Sequence, residues 1–312
     1  MNVKHLPSLL DRRYLVGALL TSALFATSAM AEVAPQELQA EEQDDRIVIT
    51  IDGELFTSYE FADDLKYPQF YPVNGPRSGK SVTTRRTDPF PHHSSLFFSC
   101  DHVNGGNYWQ EGLDRGQILA KETRIIEASG EKVVFEQVSR WERPDADSPF
   151  SDKRRISISA PSPDLRVIDF DITLTALIDV RIRKNNHSLF AARMAPDISV
   201  EGGGTLINSH GDSGEPDTFG KPSPWMDARG PRNGETEGLA ILVHPENHWS
   251  PSPWFTRNYG FFSPTPLNWI EEPFQMAEGE ELRLRYRVLV HGNNPEPAEI
   301  DRYFQEWGGA GE

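Results

Sequence analysis

The feature that most constrains this chain is a run in which Ile168, Phe170, Ile172, Leu174, Ala176, Ile178, Val180 and Ile182 occupy every second position. Asp169, Asp171, Thr173, Thr175, Asp179, Arg181 and Arg183 fill most of the gaps. A period of two places one set of side chains on one face of a strand and excludes a helix, whose period is 3.6. Fifteen residues at roughly 3.3 Å each span about 50 Å, far beyond an ordinary strand. The run is therefore expected to bend, or to split at a tight turn, near Leu177.

The same alternation recurs in Leu282, Leu284, Tyr286, Val288 and Val290, spaced by Arg283, Arg285 and Arg287. Ile47, Ile49 and Ile51 precede Asp52-Gly53, a hairpin turn into Leu55–Phe61. Residues 117–127 and 132–141 flank Ala128-Ser129-Gly130 as a second hairpin, and 238–244 read as a short buried strand. One helix is expected, at the end. Asn294 caps it, Pro295 opens it, and Ile300, Tyr303, Phe304 and Trp307 follow helical spacing. These elements predict an all-β chain, a large antiparallel β-sandwich of the supersandwich kind with one C-terminal helix. Two segments, 201–236 and 245–273, are rich in Gly, Pro and aromatic residues and read as long functional loops.

Residues 1–31 carry Lys4, Arg12 and Arg13, an apolar stretch from Tyr14 to Ala26, and Ala29-Met30-Ala31. That is the pattern of a signal peptide cleaved after Ala31, which implies a periplasmic or secreted protein. Residues 32–45 are acidic and poor in large apolar groups, so a disordered leader is expected there. A single sandwich domain should then occupy 46–312. Beyond the leader no apolar run is long enough to span a membrane. The net charge of -16, without a basic patch, argues against nucleic acid. Cys100 is the only cysteine, so no internal disulfide can form.

Several short stretches carry chemistry. Gly75-Pro76-Arg77-Ser78-Gly79-Lys80-Ser81 imitates a phosphate loop but is one residue short and no helix is expected after it, so phosphate binding is not expected. His92, His93, Cys100, Asp101 and His102 lie within eleven residues, enough for acid–base work or for a metal site centred on His92, His93 and His102. Adjacent histidines on a strand point to opposite faces, which disfavours the metal reading; neither metal nor cofactor is expected. A strand through Leu96–His102 would put Phe98, Cys100 and His102 on one face. Asn104-Gly105 reads as a turn into Tyr108-Trp109. Lys221, Trp225 and Asp227 stand in the first long loop; His244, Trp254, Arg257 and Tyr259 stand in the second. Aromatic rings that stack on sugar C–H faces, beside Arg, Asn and His for the hydroxyls, suit a carbohydrate. The competing use of Phe255, Phe261 and Phe262 is to seal the sandwich.

His92-His93-Ser94-Ser95-Leu96-Phe97-Phe98, followed by Val103-Asn104-Gly105 and Tyr108-Trp109, is similar to the signature of the bacterial PmoA-like domain family. Asn208 to Gly214, Gly220-Lys221-Pro222 with Trp225 and Asp227, and His244-Pro245 through Trp254, Arg257 and Tyr259-Gly260 resemble its later blocks in order. The resemblance covers about residues 67–307 and implies no particular reaction. The family label echoes a methane monooxygenase subunit, an integral membrane enzyme; this chain has no spanning segment after its leader, so oxygenase activity is not expected. Cys100-Asp101-His102 departs from the His-Gly-Asp common in that family. By fold analogy the long alternating strands look like those of galactose mutarotase. Together these imply an exported glycan-processing enzyme, a hydrolase or lyase. In it His93, Asp227 and His244 do the chemistry, while His92, Trp109, Arg193, Lys221, Trp225, Trp254, Arg257 and Tyr259 hold the sugar. The alternatives are a non-catalytic glycan-binding protein and the metal enzyme.

Overall fold

In the computed structural model, which describes residues 36–110 and 112–309, the alternating run divides where its length demands. Strand Leu165–Ala176 lies between Phe150–Ser162 and Glu281–Gly292, antiparallel to both. Its Ile168, Phe170, Ile172 and Leu174 are buried. On the opposite face Asp169 meets the directly opposed Arg287 at 2.6 Å and Asp171 meets the diagonal Arg283 at 2.6 Å, ion pairs that tie neighbouring strands. The chain turns at 177–179, and Val180–Ile182 joins the other sheet, pairing with Phe274–Met276 and with Val103.

The two sheets pack face to face. Among the described residues the smaller has eight strands, in the order 205–208, 225–232, 235–243, 281–292, 165–176, 150–162, 132–142, 117–127. The larger has thirteen, and its centre runs Ser252–Thr256, Phe261–Pro264, Ser188–Arg193, Leu96–Val103, Gln69–Val73, Glu54–Glu60, Arg46–Ile51. Both expected hairpins are present, 46–51 with 54–60 and 117–127 with 132–142. No described helix is long and apolar enough to cross a membrane.

Three expectations are corrected. The acidic leader is not disordered throughout: Leu38–Gln43 is a strand paired with Arg46–Ile51, because Leu38 and Ala40 alternate into the core while Glu41 and Glu42 stay outside. The two long loops hold strands 205–208, 222–223, 225–232, 252–256 and 261–264 and a short helix, Gly214–Thr218. Strands 205–208 and 222–223 are too short to show a period, while 225–232, 252–256 and 261–264 are buried at nearly every position, so no alternation marks them. The third concerns His102. Its φ of 57° and a register shift between Asp101 and Val103 form a bulge, and the alternation stops there. Cys100 faces the core, while His102 is partly exposed and approaches the Lys184 carbonyl at 3.3 Å. The signal peptide and its cleavage site lie outside the described residues.

Two charged arrangements fix the sandwich. Between the sheets, Arg154 is enclosed and donates to Asp152 at 2.8 and 3.1 Å and to Tyr59 Oη at 3.2 Å. Trp141 Nε1 donates to the same carboxylate at 2.7 Å, and Tyr59 Oη donates to Gln137 at 2.9 Å. Burial pushes the Tyr59 phenol up to about 12, so it stays protonated and can donate. On the outer face of the smaller sheet the C-terminal helix Pro297–Gly309 seats Ile300, Tyr303, Phe304 and Trp307 on Leu165, Val167, Trp225, Leu242 and Leu289. That cover is why Leu165 and Val167 are apolar on the face opposite Ile168.

The false phosphate loop has a structural occupant. Glu237 is fully buried and accepts from the backbone N–H groups of Arg77 at 2.7 Å and Ser78 at 2.8 Å, and from Ser78 Oγ at 2.5 Å. A Cβ at Gly75 would fall 2.5 Å from Glu237 Oε1, so only glycine lets the backbone close around the carboxylate. Glu237→Ala strips three donors of their acceptor and should cost roughly 2–4 kcal/mol. Glu237→Gln, which keeps one acceptor oxygen, should cost less. Urea unfolding midpoints for the two variants check the order, and equal midpoints would contradict it.

Candidate functional site

Strand Leu96–Val103 supplies both faces of the larger sheet. Phe98 points inward, 6.1 Å from Phe170 and 6.4 Å from Tyr286 of the smaller sheet. Phe97 points outward, stacked on Tyr67 at 4.5 Å and edge-on to Trp109 at 4.7 Å. This outer face is roofed by loops, and the loop before the strand is tightly tied. Arg193 N donates to Ser95 O, Ser95 N to Thr84 O, Thr84 N to Arg193 O and Arg86 N to His93 O, all within 2.9 Å. Tyr67 Oη donates to the His92 carbonyl at 2.9 Å. Asn107 Oδ1 accepts from Trp109 N at 3.0 Å and Gln110 N at 2.9 Å, turning the chain so that Trp109 folds back onto Phe97.

The result is a chain of rings on the outer face. His187 lies 5.7 Å from Trp109 and 5.5 Å from His92, nearly perpendicular to the latter. His92 and His93 are 4.3 Å apart. His93 stacks on Phe261 at 4.3 Å, Phe90 stacks on Tyr259 at 4.6 Å, and the Arg193 guanidinium sits 4.4 Å from the Tyr259 ring. A cleft of about 310 Å³ opens beside them, lined by Tyr67, Arg86, His92, Trp109 and Gln110 among others. Three larger hollows, of about 390, 580 and 600 Å³, contain no histidine and only the rings of Phe61 and Phe56, so chemistry rather than size marks the site.

Electrostatics keep these imidazoles neutral. Burial, reinforced by His92, Arg193 and His187, pushes His93 down to about 2. Burial together with His92 and His102 pushes His187 down to about 4, and burial lowers His92. His93 is 3% exposed and cannot meet a substrate directly in this conformation. His92 and His187 are partly exposed and can. At neutral pH each is an uncharged acceptor, the form a general base requires.

The structure brings together His92, His93, Trp109, Arg193 and Tyr259 of the residues singled out from sequence. It does not bring Asp227 or His244 to them. Asp227 is on the outer face of the other sheet, buried beneath the C-terminal helix, 2.9 Å from His291 Nε2 and 3.4 Å from Arg229. His244 packs on Trp307 at 4.7 Å, and its Nδ1 accepts from Glu246 N at 3.2 Å. A reaction shared by His93, Asp227 and His244 would have to act through the whole sandwich, so that trio is corrected. Trp225 Nε1 donates to Asp301 at 2.6 Å and anchors the helix; Trp254 is buried and donates to Ser223 O at 2.8 Å. Lys221 is exposed and pairs with Asp212 at 3.2 Å. Arg257 pairs with Glu215 at 3.1 Å and lies over Phe255 at 4.0 Å, behind Tyr259. Phe255, Phe261 and Phe262 are buried, as sealing residues would be.

For the metal reading, His102 stands beside His187, not with His92 and His93. Among the described residues no group of three or more His, Cys, Asp and Glu side chains is arranged to hold a metal ion. Sequence reasoning missed His187 and Phe90. The one cue in the sequence was the unbroken apolar run Leu189-Phe190-Ala191-Ala192, which has no period; in the structure it is a strand buried at every position, with His187 just before it.

Comparison with solved structures gives distant matches. A putative aldose 1-epimerase from Klebsiella pneumoniae aligns over 88% of this chain and 84% of its own, at 8% identity and a TM-score of 0.42. A galactose mutarotase related enzyme from Lactobacillus acidophilus aligns over 83% and 99%, at 8% identity and a TM-score of 0.34. An aldose epimerase homologue from C. elegans aligns over 84% and 100%, at 9% and 0.34. No curated protein matches the chain. The family of unknown function DUF6807 matches residues 46–305, which include the ring cluster and both sheets, and the chain belongs to that family.

Proposed function

We propose that this is an exported carbohydrate-processing protein that takes its sugar at the outer face of the larger sheet. The observation that carries the reading is a set of three uncharged imidazoles, His92, His93 and His187, held against Trp109, Tyr259 and Phe90. Aromatic faces accept the C–H surface of a pyranose, and neutral imidazoles accept hydroxyl protons. In the catalytic form of the reading, His187 is the general base at the open end of the cluster, His92 assists it, and His93 holds the ring stack in place behind them. Export rests on the leader pattern at 1–31.

The test is mass spectrometry of products after incubation with a broad oligosaccharide panel. Fragments that have gained water would identify a hydrolase, and unsaturated fragments a lyase. His187→Ala should lower turnover by about 10² or more, while Tyr259→Ala should mainly raise KM. Sugars that bind with no product formed, and with affinity lowered in both variants, would identify a binding protein instead. No binding by any member of the panel would overturn the reading.

Its pH dependence has a definite sign. A free histidine takes up its proton near 6.5, but folded His187 does so only near 4. Activity that needs it unprotonated should therefore persist below pH 6 and fall as pH drops through about 4. Folding stability behaves differently. The unfolded chain binds the proton first, so the contribution present above pH 6.5 is lost progressively between 6.5 and about 4. His187→Gln should flatten the slope of Tm against pH in that window, and an unchanged slope would show that His187 does not generate it.

A further inference from the structure

Three buried polar atoms around Phe261 have no hydrogen-bond partner: Arg193 Nε, Trp109 Nε1 and His93 Nδ1. Their residues are 4%, 1% and 3% exposed. Arg193 is paired with Phe261 across neighbouring strands, His93 stacks on that ring at 4.3 Å, and Trp109 meets it edge-on at 6.3 Å. Two of the three, the guanidinium Nε–H and the indole N–H, can only donate. An unmet donor in an enclosed place forfeits the hydrogen bond it had with water, and an unmet charge forfeits more.

Arg193 is also anomalous among the buried arginines. Arg154, Arg229 and Arg232 face the carboxylates of Asp152, Asp227 and Asp197 at 2.8, 3.4 and 2.8 Å. Arg166 donates to Gln36 and to three backbone carbonyls. Arg193 has one carbonyl, that of Tyr259, and the face of the Tyr259 ring. Among the described residues no carboxylate lies within ion-pair distance of it, and Glu201 acts on it only from further away. Near the cleft mouth Arg86 is exposed and adds a second cation, against Asp64 on the same wall. This cation-bearing face belongs to a chain of net charge -16.

We infer that the sugar bound here is acidic, a hexuronic acid residue whose carboxylate is the missing partner of Arg193. The inference rests on the carbohydrate reading above and names its substrate class. A planar carboxylate matches the guanidinium fork, which presents Nε–H and an Nη–H side by side. The Trp109 N–H is left for a ring hydroxyl, and His93 Nδ1 for another. Entry requires Tyr259, with Phe90 stacked on it, to part from the guanidinium that Tyr259 covers, so the uncompensated charge of the free protein becomes binding energy for an anion.

The test compares oligogalacturonides with the same oligomers after carboxyl reduction, by calorimetry and by thermal shift on the full protein. The acidic oligomers should bind at least tenfold more tightly and raise Tm. Arg193→Met, which keeps the stem's volume without the charge, should abolish that preference while leaving the Tm of the free protein unchanged or higher. A preference that survives Arg193→Met overturns the inference, as does equal binding of the two forms. Binding of neutral oligosaccharides from the wider panel without any binding of uronides sinks the acidic assignment and leaves the carbohydrate reading standing. Absence of binding to both sinks the two together. A sulfated neutral oligosaccharide that binds as tightly as the uronide shows a general anion site and overturns the carboxylate.

Discussion

Arg154 carries its charge between two sheets with protein on every side, and the carboxylate of Asp152 is what makes that placement tolerable. The pair reaches across the sandwich through Tyr59, so the larger sheet can sit on the smaller in only one lateral position without stranding a donor. Apolar contacts such as Phe98 on Phe170 supply most of the burial, yet they tolerate sliding in a way that a forked guanidinium does not. Compensation of buried charge is thus the rule that organises this molecule. Glu237 obeys it by drawing backbone N–H groups around itself, and Asp227 by its contacts with His291 and Arg229.

Arg193 stands outside that rule, and so do the three imidazoles beside it, which escape the cost of charge by staying unprotonated. Both conditions arise from the same cause. Around Arg193 the outer face of the larger sheet is covered by loops and aromatic rings, and among the described residues no carboxylate comes within ion-pair distance of that guanidinium. Such an environment depresses histidines and leaves an arginine expensive, and its rigid base, strands Leu96–Val103 and Ser188–Arg193, prevents the loops from relaxing the expense away.

Much of the architecture was legible in the sequence because it depends on period. The alternation from Ile168 to Ile182 and that from Leu282 to Val290 marked two strands, which the structure sets side by side, and the excess length of the first foretold a break near Leu177, which the structure makes a passage from one sheet to the other at 177–179. Strands such as Phe261–Pro264 and Trp225–Arg232 were not legible, since both faces are covered and Pro or Gly interrupts them. The site was legible in part. His92, His93, Trp109, Arg193 and Tyr259 converge, but Asp227 and His244 looked equally reactive and belong to the helix-covered face. A sequence displays a residue's chemistry and hides which side of a sheet it faces once alternation fails. His187 was missed for that reason, because Asn185 and Asn186 before it give no periodic cue.

The loop Gly75–Ser81 has a consequence for how chains like this are interpreted. Its backbone can surround an oxyanion, which is why it imitates a nucleotide-binding motif, but the oxyanion it surrounds is tethered to the neighbouring sheet at Glu237. A tethered occupant has an effective concentration that no dissolved phosphate reaches. The loop therefore works as a clasp between sheets, and the resemblance to a ligand site is the trace of an intramolecular competitor that is always bound.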